Sequence, residues 1–151
     1  MFFLSTNFHE LALMFFSPRI SRIVTDNIYM SIDNLIYKSV GAAMEVYNHL
    51  GPGLLESIYE KAMIYELQSK GLKVTSQTPV EIKYKNVTIG SDLRLDIFVE
   101  DKLIIELKSV EVLLPVHFKQ VRSYMKLLNV SAGVLINFNV SDFKQGYKII
   151  K

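Results

Sequence analysis

The chain of 151 residues has no cysteine and no tryptophan, and it contains only seven glycines and four prolines. The absence of cysteine excludes disulfides, cysteine-ligated metal centres and thiol nucleophiles, so any chemistry must use oxygen and nitrogen groups. The small net charge of +2 does not give the strongly basic character that is typical of nucleic-acid-binding proteins. Because 50% of the residues are apolar, the sequence predicts one folded domain with an ordinary hydrophobic core.

The first thirty residues are rich in phenylalanine and methionine, but their longest apolar run, residues 11–16, is too short to cross a membrane. Charged side chains interrupt and follow the apolar stretch, which argues against an export signal, so we expect a cytoplasmic protein with no membrane span. Residues 31–151 are predicted to form the functional domain, and residues 1–30 an extension without chemistry. The sequence leaves open whether this extension covers a groove, precedes a natural start at Met30, or mediates a homodimer or contact with a membrane surface.

The periodicity of apolar residues changes along the domain. Helical spacing predicts a first helix from Ser31 to Leu50 and a second from Leu54 to Lys70, separated by the turn Gly51-Pro52-Gly53. Alternation then predicts strands over 72–76, 79–85, 87–90, 93–99 and 103–109, with turns at 85–86 and 100–102. A third helix is predicted from Pro115 to about 129, then a strand over 130–138 and a short helix over 141–151. This order predicts an α/β or α+β fold.

Several common catalytic motifs are absent: the sequence has no glycine-rich phosphate loop, dinucleotide fingerprint, GxSxG elbow or HExxH pair, and its three histidines are isolated. The carboxylates of the hairpin over residues 93–109 remain as candidates. If residues 100–102 form a three-residue loop, Val99 pairs with Leu103, and Asp96 lies directly opposite Glu106. Like charges at such a distance are destabilising unless a cation lies between them. A hard divalent ion such as Mg²⁺ suits two carboxylates.

Lys108, diagonal to Asp96, would lie next to such an ion. There it would orient or help to deprotonate a water and would stabilise charge on a phosphate, as in a metal-dependent hydrolase. The alternative is a solvated hairpin face on which Lys108 merely neutralises Glu106 or Asp96. The apolar, strand-forming neighbours of Glu106 favour a central strand with half-buried charges. Buried carboxylates next to a lysine are more often functional than without a role.

The spacing of Asp96 and Glu106-x-Lys108, with Glu56 on the preceding helix and Gln120 on the following one, resembles the PD-(D/E)xK nuclease superfamily. Within it, the stretch GLLESIY over residues 53–59 is similar to the signature of the small GxxExxY proteins. The stretches RLDIFVEDKLIIELKSVEVLLPVHFKQ and GVLINFNV follow in that family's order. The resemblance covers residues 31–151 and implies a restriction-endonuclease-like α-β-β-β-α-β core with a mixed central sheet flanked by helices.

The resemblance also implies roles for these residues. Asp96 and Glu106 would ligate a Mg²⁺ or Mn²⁺ ion, and Lys108 would position or activate the attacking water. Glu56 would reach the same metal directly or through water, and Gln120 would lie near the lysine and a phosphate. The alternative for Glu56 is a carboxylate that merely suits the first turn of a helix, and for Gln120 it is a solvated helix position.

Two functions follow from these expectations. The first is a Mg²⁺-dependent nuclease that hydrolyses phosphodiester bonds of DNA, rather than RNA, with a metal-activated water. The alternative is a nucleic-acid- or protein-binding module that keeps the nuclease fold without turnover. The small net charge favours the binding module, whereas the presence of Asp96, Glu106 and Lys108 favours the nuclease.

Overall fold

The computed structural model describes residues 30–151, and the extension predicted over residues 1–30 lies outside the described residues except for Met30. Within this part of the chain the helices are α1 (Ile32–Leu50), α2 (Glu56–Ser69), α3 (Pro115–Leu128) and α4 (Phe143–Gly146). The strands are β1 (Val74–Tyr84), β2 (Val87–Val99), β3 (Leu103–Lys108), β4 (Ala132–Asn137) and β5 (Tyr147–Ile150). None of the helices described is long and apolar enough to cross a membrane.

The strands form one mixed sheet in the order β1-β2-β3-β4-β5. Neighbouring strands are antiparallel except β3 and β4, which run parallel because α3 crosses one face of the sheet between them. α1 and α2 pack on one face, against Ile105 and Leu107 of β3, whereas α3 packs on the other face, against Ile104 and Leu135. This mixed sheet between helices confirms the predicted fold class. β3 lies at its centre, and its side chains are buried on both faces as far as Leu107.

The first two helices meet at a tight turn. The Ser31 hydroxyl caps α1 by accepting a hydrogen bond from a first-turn amide at 3.1 Å, and Gly51, with a φ of 65°, ends the helix. The predicted turn over residues 51–53 is confirmed, but α2 begins at Glu56, two residues later than predicted. Tyr59 is fully buried and holds this turn, because its hydroxyl donates to the Gly51 carbonyl at 2.6 Å.

β1 and β2 form one long hairpin in place of the four short strands predicted over residues 72–99. The predicted turns at 85–86 and 100–102 are both confirmed. Glu100 and Asp101 both have a φ of 52°, which a tight hairpin turn requires. Val99 pairs with Leu103, as the three-residue loop predicts. The loop length therefore fixes the register of the strand that carries the candidate carboxylates.

The β1–β2 ladder is interrupted midway at Gln77, which has a φ of 49°. On one side of this point Leu93 and Leu95 pack towards α3, whereas on the other side Ile97 and Val99 pack towards α1 and α2. The alternation of apolar residues over 93–99 predicts one shared face for these four residues, and this prediction is wrong. A left-handed residue within a strand disturbs the alternation of side chains, and here both strands of the hairpin exchange their faces.

The C-terminal segment differs from the prediction. The strand predicted over 130–138 is confirmed as β4, but the helix predicted over 141–151 is reduced to the four residues of α4. The next residues form β5, antiparallel to β4, because pairing with the sheet outweighs the local preference. Gly133 of β4 lies directly beneath α3, and a Cβ atom there would lie only 2.5 Å from Val121 Cγ1.

Candidate active site

Glu106 and Lys108 lie on the face of β3 that α3 covers, since both alternate with Leu107 and follow Ile104 in the pleat. The Lys108 ammonium donates a hydrogen bond to Glu106 Oε1 at 2.7 Å. The side chains are only 14% and 2% exposed, respectively. The alternative of a neutralising pair is thus partly correct, but the pair is buried, and a buried pair requires better compensation than a solvated one.

Asp96 contacts the same strand from β2. The main-chain pairing of β2 with β3 ends at Ile97 and Ile105, so it stops one residue before the predicted Asp96–Glu106 pair. In place of that pairing, Asp96 Oδ2 accepts a hydrogen bond from the Leu107 amide at 2.8 Å. The carboxylate thus takes the place of a main-chain acceptor and is turned towards β3, where it is half-buried beside the Glu106–Lys108 pair.

The three charges perturb one another. Burial raises the pKa of Glu106 from 4.5 to about 7, and the negative charge of Asp96 adds to this increase. Burial likewise raises the pKa of Asp96, although its hydrogen bond from Leu107 and the charge of Lys108 oppose the change. For Lys108, burial by itself lowers the pKa, but the hydrogen bond and charge of Glu106 outweigh it and raise the pKa. Lys108 is therefore an ammonium ion at neutral pH, whereas Glu106 can gain or lose a proton there.

One oxygen of this cluster differs from the others in its surroundings. Glu106 Oε2 is buried and accepts no hydrogen bond from residues 30–151, which is costly for a carboxylate. A buried, unpartnered carboxylate oxygen next to a second carboxylate is a donor set that fits a hard divalent cation. In residues 30–151, however, no group of three or more histidine, aspartate and glutamate side chains lies close enough to hold a metal. Asp96 and Glu106 thus supply two suitable ligands, but Glu56 does not lie close enough to form a three-residue ligand group with them.

Glu56 lies at the first position of α2, close to the end of β3. Its Oε1 accepts a hydrogen bond from the Ser109 amide at 3.2 Å, and the Ser109 hydroxyl donates to the Leu54 carbonyl at 2.6 Å. The negative charge of Glu56 contributes to the raised pKa values of both Asp96 and Glu106. Glu56 is exposed, so it lies at the rim of the cluster and holds the segment that follows Lys108.

Gln120 lies on α3, which covers the same face of the sheet as the three charged residues. Its Nε2 donates to the Tyr124 hydroxyl at 3.1 Å, and Tyr124 packs on Ile104. Gln120 precedes Tyr124 by about one helical turn, towards the end of β3 that carries Glu106. In the described part of the chain no hydrogen bond joins Gln120 to the three charged residues.

The spacing of three and four residues predicts that His117, Gln120 and Tyr124 share one face of α3. The Gln120–Tyr124 hydrogen bond confirms that these two residues share a face. His117 instead caps its own helix, because its Nδ1 accepts a hydrogen bond from the Leu114 amide at 3.1 Å. The three polar side chains are therefore divided between two tasks.

Asn137 is a site residue that sequence reasoning missed. It is buried at the end of β4, beside Lys108 in the parallel register. Its side chain accepts a hydrogen bond from the Val110 amide at 3.0 Å and donates one to the Val110 carbonyl at 2.7 Å. Asn137 therefore fixes the segment after Lys108 from the side opposite Glu56. The signal in the sequence is a single amide residue at the end of an otherwise apolar strand.

A family model described as the PD-(D/E)XK nuclease superfamily matches residues 33–150. No curated protein and no solved structure matches the chain. The match extends from the start of α1 to the end of β5, and therefore includes every strand of the sheet and all five residues of the predicted site. The finer assignment to the GxxExxY proteins stays a prediction. The chain therefore belongs to the PD-(D/E)XK nuclease superfamily.

Proposed function

We propose that this chain is a nuclease that uses Mg²⁺ or Mn²⁺ to hydrolyse phosphodiester bonds of DNA, rather than RNA. The observation that carries the proposal is the buried Glu106–Lys108 pair beside Asp96, in which Glu106 Oε2 has no hydrogen-bond partner among the described residues. A purely structural ion pair is satisfied by its own hydrogen bonds, whereas this one leaves an acceptor free. Membership of the nuclease superfamily gives the class of reaction.

Asp96 and Glu106 would hold the metal ion, and Glu56 would reach it through water from the rim of the site. When bound, such an ion supplies positive charge to the phosphate and lowers the pKa of a water. The Leu107 amide keeps Asp96 turned towards β3, and this orientation does not depend on the ion. The chain thus supplies a preorganised pair of carboxylates.

Lys108 would act as a donor of hydrogen bonds to the phosphate. In hydrolysis the water oxygen forms a bond to phosphorus, one ester P–O bond breaks, and the departing oxygen takes up a proton. Negative charge grows on the non-bridging oxygens during this step, and a fixed ammonium group stabilises it. The raised pKa of Lys108 keeps the group charged at neutral pH. This favours the charge-stabilising role of Lys108 over a role as a base. Gln120 would contact the phosphate from α3.

The test is cleavage of linear double-stranded, single-stranded and branched DNA, and of RNA, by purified protein with Mg²⁺ or Mn²⁺. We expect DNA cleavage by wild type and a loss on the order of a hundredfold or more in Lys108→Ala. The matched control is Lys102→Ala, which removes an exposed lysine in the β2–β3 loop. Thermal melts show whether each variant is folded. Inactivity of wild type on every substrate, or equal activity of wild type and Lys108→Ala, would overturn the proposal.

A binding module without turnover is the second candidate, and the lack of a three-residue ligand group in residues 30–151 favours it. Binding of a metal separates the two candidates, since an ion that binds only the folded state raises the melting temperature. The nuclease predicts that Mn²⁺ stabilises wild type but not Asp96→Ala. The binding module predicts no difference between the two proteins, together with inactivity on all substrates.

A further inference from the structure

The helices on the two faces of the sheet carry opposite charges. α3 contains Lys119, Arg122 and Lys126 and no acidic residue. On the other face, α1 and α2 together contain five acidic residues and only two lysines, namely Asp33, Glu45, Glu56, Glu60, Glu66, Lys38 and Lys61. The net charge of +2 therefore conceals a positive layer and a negative layer.

The three cations of α3 form one exposed stripe. Their spacing of three and four residues places Lys119, Arg122 and Lys126 on the same side of the helix, and all three are exposed. Within residues 30–151 no ion pair joins any of them to an acidic side chain. A row of unpaired cations is costly in self-repulsion and attracts a polyanion.

A groove lies between this helix and the β1–β2 hairpin. Its walls include Ser123, Lys126 and Leu127 of α3 and Glu81 and Lys83 of β1. Lys83 is paired with Glu81 at 3.3 Å, so the free positive charge of the groove comes mainly from α3. The N-terminal end of α3 begins six residues after Lys108, so the helix leads away from the end of β3 that carries the cluster.

We infer that the Lys119–Arg122–Lys126 stripe, together with the groove beside it, binds the phosphate backbone of a nucleic acid and leads it to the Asp96–Glu106–Lys108 cluster. The choice of nucleic acid as the ligand rests on the proposed function, and charge complementarity supports it. Lysine and arginine side chains supply the salt-dependent part of nucleic-acid binding, which does not depend on sequence. The stripe is thus a positioning surface and carries no base recognition.

The experiment measures how binding depends on salt. Full-length protein is titrated into fluorescent double-stranded or single-stranded DNA in EDTA, so that no cleavage occurs, between about 50 and about 200 mM NaCl. The test variant replaces Lys119, Arg122 and Lys126 by glutamine. The control replaces Lys38 of α1, Lys61 of α2 and Lys70, the residue after α2, by glutamine, which removes the same charge from the opposite face of the sheet.

Loss of three phosphate contacts predicts that the slope of log K against log salt becomes shallower by about 2.7 for a duplex and about 2.1 for a single strand. The control variant is expected to keep the slope of wild type. A third variant, with Lys119→Arg, Arg122→Lys and Lys126→Arg, is expected to restore the wild-type slope, which would exclude damage to the fold. Equal slopes for wild type and the test variant, equal losses in the test and control variants, or no binding by wild type would each overturn the inference.

The two proposals fail separately. If wild type binds DNA through α3 but neither metal supports cleavage, the proposed function is wrong and the binding surface stands. If wild type cleaves DNA and the α3 variant binds and cleaves equally well, the nuclease stands and the binding surface is wrong.

Discussion

Replacing Glu106 by glutamine removes a buried carboxyl whose pKa the fold raises from 4.5 to about 7. Between these two pH values the folded protein holds a proton that the unfolded chain has lost. The unfolded state therefore binds fewer protons, and the free energy of unfolding falls as the pH rises across this interval. Each pH unit costs about 1.4 kcal/mol, so the full interval costs about 3 kcal/mol. Above the interval the contribution is constant.

The expected result is a change in the difference between the two proteins. Glutamine keeps the shape of the side chain but cannot ionise, so Glu106→Gln lacks this dependence on pH. The stability of the variant relative to wild type should rise by about 3 kcal/mol between pH 4.5 and pH 8. The amide oxygen of glutamine accepts a weaker hydrogen bond from Lys108, which lowers the stability of the variant without giving it the dependence on pH that the carboxyl has. In wild type Lys108 stays charged throughout this range because Glu106 raises its pKa from 10.5.

The measurement is urea denaturation at several pH values, followed by far-UV circular dichroism or by the fluorescence of the eight tyrosines, since the chain has no tryptophan. Glu111→Gln is the matched control, because Glu111 is exposed and has no side-chain partner in the described part of the chain. Parallel curves of stability against pH for wild type and Glu106→Gln would refute the assignment of a raised pKa to this carboxyl.

The remaining predictions concern packing and hydrogen bonds, and each is measured as the free energy of unfolding in urea. Gly133→Ala should cost about 1–3 kcal/mol, because the new methyl group would lie 2.5 Å from Val121 Cγ1 and would push α3 off the sheet; wild-type stability would contradict this close approach. Tyr59→Phe should cost about 1 kcal/mol, since it removes the hydrogen bond that holds the turn at Gly51. The ring of Tyr59 also stacks on Phe138, and no cost would mean that this stacking alone holds the turn. Asn137→Ala should cost about 2 kcal/mol, because it removes the side chain that pairs with the main-chain amide and carbonyl of Val110. A neutral effect would show that water replaces the side chain.

The length of the β2–β3 loop made the centre of the site predictable. A three-residue loop fixes the pairing of Val99 with Leu103, and the register then places Asp96 close to Glu106 without any knowledge of the rest of the fold. The sharing of one face by Glu106 and Lys108 follows from the period of two in a strand. Both predictions depend only on residues within one hairpin.

Other features were not predictable because they depend on distant parts of the chain. The left-handed conformation of Gln77 reverses the faces of β1 and β2, and no glycine marks the position. β5 forms only because β4 offers it an edge. The burial of Glu106 depends on α3, which covers this face of the sheet and follows the strand in the chain. The contact between Asn137 and Val110 spans 27 residues, and no local pattern indicates it.

The segment after Lys108 is fixed by contacts that close long loops, since Ser109 is 53 residues from Glu56 and Val110 is 27 residues from Asn137. Contacts between distant residues form slowly, because the entropy of closing the chain must be lost before they stabilise anything. During synthesis the hydrogen bond from Leu107 to Asp96 can form early, but the surroundings of Lys108 remain open until β4 has been made. An unfinished chain therefore lacks the assembled site.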